Sequence, residues 1–95
     1  MKHDLKTDPE YFKQIWEDRK EWELRLDDRA FREDDLLRLK ETRFSGADHI
    51  RGDPVEYTGR EIEAVVVGIL RGPVYGLEAG WVIMSISVYF KRWDN

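Results

Sequence analysis

Lys20, Glu23, Arg25 and Arg29 fall within ten residues of one another, the densest set of groups in this 95-residue chain that could act on a ligand. Side chains two apart on an extended strand project to the same side, so Glu23 and Arg25 share a face. Arg and Lys can present donors to a phosphate, and a carboxylate can accept from the edge of a base. His3 and Lys6, on a short extended stretch near the start, are read as lining the same cleft, where an imidazole would offer a general base. Tyr57 and Arg60 close a long loop and form a second candidate group, a ring beside a guanidinium. The plainer account of the first cluster is a solvated face where Glu21, Glu23 and Arg25 make weak ion pairs. For His3 it is a structural or merely exposed ring.

Composition narrows the classes. A chain this short forms one domain, residues 1–95, with a small core. Its 41% hydrophobic and 13% aromatic content is that of a folded protein. With no Cys and two His, neither a disulfide scaffold nor a structural zinc site is expected, and no cofactor is called for. The start, MKHDLK, leads into no apolar run, so neither a signal peptide nor a membrane span is expected and a cytoplasmic location is. The net charge of −4 argues against sequence-blind attachment to duplex DNA, and the acidic excess is spread over both halves rather than offset by a basic arm.

The elements that must position these groups follow from periodicity. Residues 3–6 can form a short edge strand. Asp8 and Pro9 suit a helix start, and Tyr11, Phe12, Ile15 and Trp16 make a helical stripe from Glu10 to about Asp18. In 20–26, Trp22, Leu24 and Leu26 alternate with Glu21, Glu23 and Arg25, which predicts a half-buried strand with the apolar residues inside. Phe31 is a core anchor between two turns, and 35–41 is the next strand. Residues 42–58 lack a steady period and are expected to be a flap or a disordered insertion, with His49 given no role. The run from Ile62 to Ile69 is apolar at nearly every position and predicts a central strand, 60–70, covered on both faces, with Gly68 at a bulge. Residues 81–90 predict a second long strand, and Lys91 to Asn95 a polar tail. Most aromatics, Trp16 and Trp22 among them, are assigned to the core, while Tyr57 has the best prospect of facing a ligand. Five strands with one N-terminal helix, two of the strands too long for a small flat sheet, predict a coiled, nearly closed barrel.

His3-x-Leu5-Lys6, Pro9-x-Tyr11-Phe12, Lys20-x-x-Glu23-Leu24-Arg25, Asp28-Arg29-x-Phe31, Tyr57-Thr58-Gly59-Arg60 and Gly80-Trp81-Val82-Ile83-Met84-Ser85-Ile86 run in order through the chain. Together they resemble the DUF3850 proteins of the ASCH group in the PUA-like superfamily. The resemblance implies a PUA-like (ASCH-type) pseudo-barrel, mainly β with α, and a module that binds RNA or a nucleotide in a cleft. Some ASCH-type proteins are amidohydrolases that deacetylate acetylated cytidine with a Lys, a Thr three residues later and a distant Glu. Lys20 stands at the position of that Lys, but Glu23 replaces the Thr. Glu23 would then act as a base and Lys20 would stabilise an oxyanion, since a carboxylate does not substitute for a hydroxyl nucleophile. Asp34 and Asp27 are further departures, standing where relatives carry Gly and Asn. The expectations are a binding module for RNA or a nucleotide, then a small nucleoside amidohydrolase, then an accessory protein with a protein partner.

Overall fold

The computed structural model describes residues 1–46, 52 and 54–93. The elements run β1 (Lys2–Thr7), α1 (Pro9–Trp16), β2 (Trp22–Leu26), β3 (Leu36–Thr42), β4 (Tyr57–Arg71) and β5 (Trp81–Trp93). They form one sheet in the order β1-β3-β4-β5-β2, with β1 parallel to β3 and the other pairs antiparallel. The sheet curls into a half-barrel carrying one short helix. Six expected positions in the loop between β3 and β4, 47–51 and 53, lie outside the described residues, His49 among them, as do 94 and 95.

The core is the concave face plus the helix. Leu5, Leu37, Leu39, Ile62, Ala64, Val66, Val82, Met84 and Ile86 come from four strands, Phe12 and Ile15 from α1, and Phe31 from the connector. The helix ends at Trp16, and Asp18 adopts a positive φ of 60°. Asp8 occupies the cap position, but its side chain makes no capping bond. Its Oδ1 instead accepts from the Gly46 N–H at 3.0 Å, which ties the helix start to the loop after β3.

Two expectations about the long strands need correction. β4 is buried on one face and only partly covered on the other: Ile62, Ala64 and Val66 are buried, Glu61, Glu63 and Val65 are intermediate, and Val67 is 59% exposed. The pairing of β4 with β5 slips at Val66/Gly68, so Val67 is the extra residue of a bulge and Ile69 returns to pack against the core. A second slip at Glu63/Ala64 places an extra residue on β5, and the two bulges on opposite strands restore the register. β5 also runs to Trp93, because Lys91, Arg92 and Trp93 pair with Ile62, Glu61 and Arg60, so the expected polar tail is strand up to that point.

The β4–β5 loop closes tightly at Gly72, whose N–H donates to Trp81 O at 2.9 Å. A Cβ there would lie 2.0 Å from Glu78 O, a backbone atom with little room to give. Gly72→Ala is therefore expected to cost about 2 kcal/mol or more in urea unfolding; an unchanged midpoint would show that the loop opens freely.

Candidate functional site

The two edge strands, β1 and β2, face each other across the open side of the half-barrel, and one side chain joins them. Arg25 donates from Nε to Glu23 Oε2 (2.8 Å), from one terminal nitrogen to Lys6 O (2.9 Å) and from the other to Thr7 Oγ1 (3.0 Å). Each guanidinium nitrogen thus makes one bond to the protein, and Arg25 straps the two edge strands together. Glu23, its side chain only 4% exposed, has its other oxygen 3.6 Å from Lys20 Nζ.

This arrangement reverses the expected faces of β2. Glu23 is buried and Arg25 half-buried, while Trp22, Leu24 and Leu26 are each about half exposed. Period two separates the faces of a strand without saying which one points inward. At an edge where the apolar core has run out, the inward positions suit groups that can satisfy one another, and Glu23, Arg25, Thr7 and Lys20 do so.

Lys20 follows the helix, held by a bond from its N–H to Gln14 O (3.2 Å). Its side chain is 6% exposed, and Nζ lies 4.6 Å from the centroid of the Trp22 ring and 5.2 Å from that of Tyr11. Among the described residues this ammonium makes no hydrogen bond, with Glu23 as its ion-pair partner. Two aromatic faces favour a cation but offer it no lone pair to accept its protons. The group therefore keeps donor capacity for an acceptor brought by a ligand.

A cleft of ≈ 510 Å³ opens here, lined among others by Lys6, Tyr11, Lys20, Trp22, Glu23 and Arg25. That volume is in the range of small-molecule sites, roughly 300 to 1,000 Å³. Of the groups singled out in the sequence, Lys6, Lys20, Glu23 and Arg25 come together. Trp22, expected in the core, and Tyr11, expected in the helical stripe, are 47% and 48% exposed and form part of the wall.

The remaining candidates lie elsewhere. His3 shares the inward face of β1 with Leu5 and Thr7 and is buried beneath the connector, edge-on to Phe31 at 4.9 Å between centroids. Its Nε2 donates to Asp35 Oδ2 at 2.9 Å, so it is a core histidine and not part of the cleft. Arg29 is largely solvated, with Asp28 3.9 Å away. Arg60 grips buried Glu41 with two bonds of 2.8 and 2.7 Å and lies over the Phe12 and Trp16 rings. Bonding to Glu41 raises the Arg60 pKa, and the pair fastens α1 to the sheet. Tyr57 is partly exposed beneath Lys40 Nζ, 4.5 Å from its ring centroid, and is not among the residues lining the cleft. Among the described residues no group of three or more His, Asp or Glu could hold a metal ion, and no helix is long and apolar enough to cross a membrane.

Asp35 is a buried carboxylate anchored by three bonds. Burial alone would raise its pKa, but bonds from His3, the Arg32 N–H and the Met1 amine outweigh it and bring the value down to about 2. A carboxylate depressed in the folded state stabilises the fold above its unfolded pKa of about 3.9, and that contribution disappears as pH falls through the folded value. Asp35→Asn should therefore be less stable than the parent at neutral pH, with the gap closing between about pH 4 and pH 2. A gap that stays constant over that window in urea titrations would contradict the assignment.

Comparison with known proteins agrees with the fold-wide spread of the residues described above. No curated protein matches the chain. A family model described as a domain of unknown function, DUF3850, matches residues 2–86, which takes in every element from β1 to the middle of β5 and the whole cleft. The chain belongs to the DUF3850 family.

Proposed function

We propose that this chain is a binding module of the ASCH type, within the PUA-like group of barrels, and that it recognises a nucleotide, free or within RNA, in the cleft between β1 and β2. The half-barrel with its helix after the first strand supports the grouping. The observation that carries the reading is Lys20: a nearly buried ammonium with no hydrogen bond among the described residues, set between two half-exposed rings. Phosphate or a base carbonyl would take the ammonium protons, and a base would stack on Trp22 or Tyr11.

A second reading, amide hydrolysis on a modified nucleoside, draws on the 3.6 Å approach of Lys20 Nζ to Glu23 Oε1. Lys20 would steady the oxyanion and Glu23 would take the proton of the attacking water. The same carboxylate is bound on its other oxygen by Arg25, which favours binding over catalysis. If acetylated cytidine is turned over, full activity in Glu23→Gln removes the proposed base.

Binding is read most directly from Trp22 fluorescence and from amide shifts of residues 20–26 during titration with ribonucleoside monophosphates and short RNA. Lys20→Gln is expected to weaken binding roughly ten-fold or more, and Trp22→Ala by a similar factor, with urea midpoints close to the parent. Nucleotides that leave these amides unmoved would remove the proposal.

A further inference from the structure

The second step rests on the nucleotide reading and narrows it. The cleft adjoins two further hollows. Beside β5 lies one of ≈ 410 Å³ that shares Lys20 and is lined also by Asp18, Glu21, Ser85 and Ser87. At the end of β3 lies one of ≈ 150 Å³ that shares Lys6 and Asp8 and adds Phe44 and Glu56.

The charges along this path are uneven. The cleft itself holds Lys6, Lys20 and Arg25 against Asp8 and Glu23, a net of +1. Arg25 is half-buried and bonded to Glu23 at 2.8 Å, so the positive charge not already held in a hydrogen-bonded ion pair is that of the two lysines. Beyond the cleft, among the described residues, each hollow adds acid and no further base: Asp18 and Glu21 on one side, Glu56 on the other. Lys91 Nζ reaches Asp18 at 3.0 Å, whereas Glu21 and Glu56 have no ion pair among the described residues. Both are exposed.

We propose that the cleft takes a monomeric nucleotide and discriminates against a polynucleotide strand. One phosphate finds the Lys20 ammonium; the next phosphate, in either direction, enters the field of an uncompensated carboxylate. The chain's net charge of −4 supplies no long-range attraction to offset this. Single-strand binders need the reverse pattern, a basic groove that follows the backbone and lowers the log of affinity by about 0.7 per phosphate contact for each unit of log salt.

The test is a length series on the intact chain: the four ribonucleoside monophosphates, then a mixed-sequence dinucleotide, tetranucleotide and octanucleotide, each at several salt concentrations. The expected result is that the octanucleotide binds no more tightly per site than the best monophosphate, with a salt slope no steeper than about −1. Glu21→Gln with Glu56→Gln should raise octanucleotide affinity about three-fold or more and leave the monophosphate unchanged. The two backbone carbonyls at these positions, which accept from Ile86 N and Arg43 N, are untouched by the substitutions.

An octanucleotide that binds about ten-fold tighter than the monomer in the parent protein, with a slope of about −2 or steeper, overturns the monomer proposal and leaves the nucleotide reading standing. A double variant whose octanucleotide affinity does not rise overturns it too, since the carboxylates are then not the barrier. Silence from every length strikes the nucleotide reading itself.

Discussion

The five strands of this sheet do not close by backbone pairing, and its two edges, β1 and β2, come to face each other with a gap between. Arg25 spans that gap. Its three nitrogens reach a carboxylate on its own strand and a carbonyl and hydroxyl on β1. A buried carboxylate is costly unless it is paired and bonded, so Glu23 and Arg25 are stable inside only together. The pair holds β1 and β2 at a separation that leaves a cleft rather than a sealed barrel. Every other feature of the site depends on that spacing.

The same pair determines what the cleft offers. With Glu23 and Arg25 directed inward, the apolar residues of β2 must face out, which places the Trp22 ring at the cleft wall. Tyr11 reaches the same place from the solvent-facing side of α1, whose Phe12 and Ile15 are held in the core. Lys20 leaves the helix end and enters between the two rings. Glu23 offsets part of its charge without satisfying its donors, and Arg25 is consumed in closing the seam. The chemistry left over is that of the Lys20 ammonium between two rings, with Lys6 also lining the cleft, suited to one acceptor and one flat heterocycle.

Much of the framework is legible in the sequence because it rests on local period and burial. The stripe Phe12, Ile15, Trp16 marks the helix; Leu37 and Leu39 mark β3; and the β-branched run from Ile62 marks the longest strand, with Gly68 beside its bulge. Phe31 is an anchor as its isolation among polar neighbours implies. What is not legible depends on where an element sits in the sheet. The alternation of Trp22, Leu24 and Leu26 with Glu23 and Arg25 is the same whether the strand is central or at the edge, and only the edge position makes the polar side the inner one. His3 lies far in sequence from the Asp35 that holds it, so nothing local separates it from Lys6. Lys91 to Trp93 look like a tail until Arg60, Glu61 and Ile62 provide a partner strand.

The central claim is that Glu23 and Arg25 act as one unit that closes the half-barrel. A double-mutant cycle of Glu23→Gln and Arg25→Met, followed by urea unfolding, tests it most directly. The account predicts that each single change is destabilising and that the double variant is less destabilised than the two together imply, with a coupling of about 1 to 3 kcal/mol. Effects that add to within about 0.5 kcal/mol would contradict it, because the two side chains would then be neighbours at the seam without being its closure.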